Sequence, residues 1–122
     1  MTSGEFKPSS LFLVYNRDIL TQLVLFDHFK EREDVVAISN LKELKPIIES
    51  RKVRMVLAEV SEIDFEFWKH LKSVLPKPRP ALLALCSLTL PQWLLDELGF
   101  DDQLVKPFDL DELDQKISKH LG

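Results

Sequence analysis

Cysteine is almost missing from this chain of 122 residues, and its scarcity excludes several chemistries at once. The single thiol, Cys86, has no second cysteine to form an intramolecular disulfide, so a reducing cytoplasm is the compartment the sequence suggests. The three histidines, His28, His70 and His120, are scattered along expected helices; no Cys/His cluster offers metal-ligand spacing, and no metal or other cofactor is expected. Long apolar runs are also lacking. The longest uncharged stretches fall well short of the roughly 20 residues that span a bilayer, and the opening MTSGEFKPSS has no apolar signal core. Positive charge is in deficit. The net charge is −4, with Asp96, Glu97, Asp101, Asp102, Asp109, Asp111, Glu112 and Asp114 crowded into the last third. This argues against direct nucleic-acid binding and leaves either a solvated acidic surface or a partner with a basic face.

What the chain does contain is an ordinary globular mixture, 45% apolar and 30% charged residues, at a length that builds one hydrophobic core without staples. We expect a flexible N-terminal segment over 1–10 and a single domain over 11–122, with no internal repeat and no low-complexity linker. Short apolar runs alternate with helical patterns, the mark of successive βα units around a parallel sheet. Leu11–Tyr15 reads as a buried first strand, followed by a helix from Asp18, a plausible N-cap, to about Lys30, with apolar Ile19, Leu20, Leu23, Val24 and Leu25. Asp34–Ile38 is the second strand. Asn40 with Glu43 makes a capping-box start to the second helix, in which Pro46 predicts a kink or a late start. Val53–Ala58 is a third strand ending at Glu59, and Asp64 opens a helix with Phe65, Trp68, Leu71, Val74 and Leu75 on one face. The proline run from Pro76 to Pro80 stops that helix. Ala81–Cys86 is a fourth strand, apolar enough to be covered on both faces. Pro91 starts a short fourth helix that Gly99 ends, and a fifth strand precedes Lys106. Asp109 and Glu112 then cap a last helix with Leu113, Ile117 and Leu121 every four residues.

The run Leu104-Val105-Lys106-Pro107-Phe108-Asp109-Leu110-Asp111-Glu112-Leu113, together with Gly99-Phe100-Asp101-Asp102-Gln103 before it, resembles the last strand and helix of a response-regulator receiver domain. The resemblance covers about residues 11 to 121. It is strong in the last twenty-odd residues, moderate in the strand pattern and negative at the active site. It implies an α/β fold, a (βα)5 three-layer sandwich with a five-stranded parallel sheet of flavodoxin-like type, and a place in two-component signalling. In the family, an acidic pair at the end of the first strand holds Mg²⁺. The third strand ends in the phosphoaccepting aspartate, the fourth in Thr or Ser, and the fifth in lysine. Aligned on the apolar runs, Tyr15 and Asn16 stand at the acidic pair, Glu59 at the acceptor, Leu85 at the hydroxyl and Lys106 at the lysine. Only the lysine is unchanged. Gln103 takes the place of a switching aromatic residue, and the loop after Glu59 is short and lacks the family's Pro-Gly turn.

A phenol and an amide are poor replacements for two Mg²⁺-binding carboxylates. The extra methylene of Glu59 displaces its reactive oxygen by about a bond length, and a misplacement on the order of 1 Å costs roughly a hundredfold in rate. The expectation is a degenerate receiver that is not an enzyme and acts as a phosphorylation-independent protein-interaction module. Two alternatives stand beside it: a phosphoacceptor with rearranged chemistry at Glu59 or Asp64, and a small-molecule site in the strand-end pocket lined by Tyr15 and Lys106. Glu59 reads either as a permanent imitation of the phosphoryl charge or as a plain ion pair with Lys106. The resemblance also implies a cis peptide at Pro107. It places partner binding or self-association on the fourth helix, fifth strand and fifth helix, through Trp93, Phe100, Gln103 and Asp111. On the fourth helix, Leu94, Leu95 and Leu98 are expected to pack on the sheet and Trp93 to be exposed.

Overall fold

The computed structural model describes residues 11–32, 34–50, 52–75 and 77–121, with the side chains of Leu11, Phe12 and Leu121 excepted. The expected flexible segment 1–10, the helix-ending Pro76 and the last apolar repeat at Leu121 therefore lie outside the described residues and side chains. Five strands, β1 Leu11–Tyr15, β2 Val35–Ile38, β3 Val53–Glu59, β4 Ala81–Cys86 and β5 Asp102–Val105, form one sheet in the order β2-β1-β3-β4-β5. All four pairings are parallel. The connecting helices are α1 Ile19–His28, α2 Leu44–Ser50, α3 Phe65–Val74, α4 Gln92–Leu98 and α5 Leu110–Leu121.

Alternation along the strands divides the core into two layers. Leu13, Val56, Ala58, Leu82 and Ala84 pack with Leu44 and Ile48 of α2, Trp68 and Leu71 of α3, and Leu95 and Leu98 of α4. Val14, Met55, Leu57, Leu83, Leu85 and Leu104 pack with Leu25 and Phe29 near α1 and with Leu113 and Ile117 of α5. A strand buried on both faces needs no polar alternation, which is why β4 reads as ALLALC.

Local chemistry explains the element ends. Asn40 and Glu43 form the expected capping box, but the first turn over Leu41–Glu43 is 3-10 and the α-helix begins only at Leu44, with Pro46 in its first turn, where a missing N–H costs nothing. Pro91 sits one residue earlier than expected, as the N-cap of α4. Gly99 ends that helix at φ 88°, a left-handed conformation that L side chains rarely adopt, and a Cβ there would lie 3.1 Å from Lys72 Cβ. Asp64 precedes α3 but does not cap it; its carboxylate is turned to Arg17. Helix α1 departs most from its sequence pattern. Of its apolar residues only Leu25 is buried, while Ile19, Leu20, Leu23, Val24 and Phe26 are exposed.

The start of β5 is tied to α5 by Asp102, which accepts from Lys116 Nζ at 3.0 Å and meets His120 Nε2 at 3.0 Å. Burial alone would raise the Asp102 pKa, but hydrogen bonds from His120 and Lys116 outweigh it and hold the carboxyl at about 2. A depressed carboxyl pKa contributes stability that is full above the unfolded value and disappears as pH falls through the folded one. We expect roughly 2 kcal/mol to be lost between pH ~4 and pH ~2, and Asp102→Asn to remove that part of the acid sensitivity. Urea unfolding followed across this window measures both slopes; an Asp102→Asn protein with the parent's slope would refute the assignment.

Candidate functional site at the strand ends

In a sheet ordered β2-β1-β3-β4-β5 the chain reverses direction across β1 and β3, and their carboxyl ends open the crevice in which open α/β sheets bind ligands. Glu59, the last residue of β3, stands there. Its Oε1 accepts the Arg17 backbone N–H at 2.7 Å, and its Oε2 lies 3.2 Å from Lys106 Nζ. Lys106 follows β5 and also approaches Asp18 Oδ2 at 3.7 Å. The Lys106–Pro107 peptide is cis, as is Lys77–Pro78. One ammonium is therefore shared by two carboxylates. Glu59 and Lys106 are about four-fifths shielded from solvent, with side-chain exposures of 20% and 18%.

Asn16 and Asp18 organise the first loop. Asn16, 3% exposed, accepts the Asp18 N–H on Oδ1 at 2.7 Å, and its carbonyl accepts from Gln22 Nε2 at 2.6 Å. Asp18 caps α1 through the Leu20 N–H and accepts the Thr21 hydroxyl at 2.7 Å. The Thr21 hydrogen bond, helped by the Leu20 amide and by Lys106, holds the Asp18 carboxyl below its usual range. Beside this cluster lies a groove of about 390 Å³ walled by Asp18, Leu20, Thr21, Val24, Ser87, Lys106, Pro107 and Phe108.

The structure thus brings Asn16, Glu59 and Lys106 to one place, and puts Tyr15 and Leu85 elsewhere. Tyr15 is buried in the layer facing α2 to α4, with the Arg17 guanidinium 5.8 Å above its ring, and borders a second groove with Ser39, Asn40, Lys42 and Asp64. Leu85 pairs with Glu59 in the sheet, but its side chain is fully buried among the α1 and α5 residues. Sequence alignment missed Asp18, read only as a cap, and Ser87. Two residues beyond Leu85, Ser87 is the β4-end hydroxyl that reaches the Lys106 groove. A strand-alternation count carried past Cys86 would have found it. Cys86 itself is buried, which pushes its thiol up to about 11 and leaves it unreactive.

The residues present do not fit a Mg²⁺ ion. The oxygens of Asp18, Asn16 Oδ1 and both Glu59 oxygens already accept from amides, a hydroxyl or Lys106, and the ammonium occupies the space between the carboxylates. Octahedral coordination would require breaking several of these contacts together. Among the described residues, no group of three His, Cys, Asp or Glu side chains is placed to hold a metal.

Trp93 is 67% exposed on α4, in the layer across the sheet from α1, and Asp111 is exposed on α5, in the same layer as α1. Leu95 and Leu98 are buried, and Leu94 is half-buried against the core. Phe100 was expected on the exposed partner face, and the structure corrects this. It is 3% exposed, with its ring centroid 4.8 Å from that of Trp68, because Gly99 turns the chain back into the core. Gln103 is committed as well: its amide donates to the Leu90 carbonyl at 2.9 Å and accepts the Leu90 N–H at 2.8 Å, clamping the loop before α4.

This sheet order, the helices on both faces and the strand-end lysine give the chain the fold of a CheY-like response-regulator receiver domain. It is similar to the N-terminal domain of a lantibiotic response regulator, the nisin resistance regulator, at a TM-score of 0.75 and 20% identity over 93% of this chain and 98% of that one. A response regulator from Thermotoga maritima superposes at 0.72 with 18% identity, covering 92% and 97% of the two chains. A CheY-like protein, TadZ, from Pseudomonas aeruginosa also reaches 0.72, with 16% identity over 93% and 99%. No family model and no curated protein matches the sequence. Among the described residues, no helix is long and apolar enough to cross a membrane.

Proposed function

We propose that this chain is a phosphorylation-independent receiver, a protein-interaction module of signal transduction whose strand-end lysine already has its anionic partner. The observation that carries this reading is Glu59, one oxygen on the Arg17 amide and the other on Lys106. Phosphoryl transfer depends on positioning a nucleophile and neutralising charge at the transferring oxygens. Here the carboxylate at the acceptor position is occupied, the lysine is neutralised, and the residues around them do not suit the metal. The gross attraction of a charge pair at 4 Å is about 4 kcal/mol at an effective dielectric near 20, and desolvation offsets much of it. The pair therefore serves more to fix the strand ends than to add stability.

With the pocket closed to chemistry, binding falls to the surface. On α4 Trp93 supplies the aromatic anchor with exposed Asp96 and Glu97 as an acidic border, and exposed Asp111 on α5 extends the border past the β5 edge, which suits a partner with a basic face. Phe100 and Gln103 support this face from within. Incubating the protein with acetyl phosphate and Mg²⁺ and measuring its intact mass tests the reading. We expect the mass to stay unchanged; a stable gain of one phosphoryl group would show a working acceptor instead.

A further inference from the structure

Helix α1 has six apolar residues among its ten, ILTQLVLFDH, yet only one flank of it meets the core. Leu25 and the following Phe29 face the sheet, while Ile19, Leu20, Leu23, Val24 and Phe26 are 69%, 73%, 60%, 48% and 40% exposed. An apolar stripe of this width is normally covered by a neighbouring element. Ile19, Leu23 and Phe26, spaced four and three apart, form one stripe along the outer face, with Leu20 and Val24 beside it. Together the five expose on the order of 500 Å² of surface, the size of the largest apolar patch on a typical monomer. It is also a large part of the ~800 Å² that each partner contributes to a standard interface.

We propose that this face is where two copies of the chain pair, α1 against α1 in antiparallel orientation across a two-fold axis. A two-fold contact requires a surface that complements itself, and this one does. The stripe meets its own copy about Leu23. The charges that flank the stripe do not oppose the contact, because each is balanced within its own copy: Arg17 pairs with Asp64, Asp18 caps the helix and approaches Lys106, and Asp27 pairs with Lys30. Leu20 and Val24 also wall the groove beside Pro107 and Phe108, which gives the edge of the incoming helix a recess to enter. This face is distinct from the α4 side, so pairing of copies leaves Trp93 free for another protein.

Sedimentation velocity or light scattering over a concentration series, up to ~1 mM, reads the outcome. The parent chain is expected to rise toward twice its 14.2 kDa mass. Leu23→Asp and, separately, Phe26→Glu, both at exposed positions, are expected to weaken association at least a hundredfold while leaving the circular dichroism spectrum unchanged. Trp93→Asp is expected to leave the dimer intact. The proposal is overturned if the chain stays monomeric throughout, if the dimer survives both α1 substitutions, or if Trp93→Asp dissolves it.

Discussion

Truncating Trp68 to alanine is expected to lower the unfolding free energy by about 3–5 kcal/mol, the range for removing a fully buried aromatic side chain. Trp68 has no solvent exposure and is the largest wholly buried side chain. It sits at the junction of three elements, with Phe67 edge-on at 5.2 Å and Phe100 at 4.8 Å, so no single helix can move in to fill the space. For a domain of this size each kcal/mol shifts the melting temperature by about 4 °C, and Trp68→Ala should melt ~12–20 °C below the parent. Trp68→Phe should cost far less, because among the described residues the indole Nε1 has no hydrogen-bond partner and nothing polar is lost with it. Thermal and urea unfolding of the two variants check this. Equal costs would mean that the indole N–H holds a bond and that the volume argument is wrong.

Leu85→Thr, which restores the residue type the receiver family carries at the aligned position, is expected to destabilise the protein by about 2–4 kcal/mol without producing a phosphoacceptor. Leu85 is fully buried in the layer under α1 and α5, so the change leaves a void and places a hydroxyl where the surroundings are apolar. The strand-end hydroxyl near Lys106 is already supplied by Ser87, which is exposed. Ser87→Ala should alter stability by no more than about 0.5 kcal/mol. Chemical denaturation gives the two stabilities, and intact mass after acetyl phosphate treatment gives the chemistry. A Leu85→Thr protein as stable as the parent, or one that takes up phosphate, would restore Leu85 to the site.

The strands and most helix ends were legible because their determinants are local. Six consecutive apolar residues in β4 have few uses other than a two-sided buried strand, and the Asn40–Glu43 box, Pro91 and Gly99 act within one turn. The glutamate–lysine pair was foreseen as well, since a parallel sheet brings the ends of β3 and β5 to the same edge. Asp18 was harder to assign, since capping a helix is local but reaching Lys106 is not. Phe100 and Leu85 were misplaced for different reasons: Phe100 faces inward because of how the backbone turns at Gly99, whereas Leu85 follows the alternation of β4 into the layer under α1 and α5.

What the sequence by itself determined is therefore the βα alternation, the two-sided sheet and the chemical inventory of the strand ends, because periodicity and capping act between near neighbours. Only the tertiary structure decided which of those groups meet. It turned Glu59 onto the Arg17 amide and Lys106, brought Ser87 rather than Leu85 to the groove, sealed Phe100 against Trp68, and left the outer flank of α1 uncovered. Each of these depends on contacts between residues far apart in the chain, and a residue's own neighbours carry no record of what the fold will place opposite it.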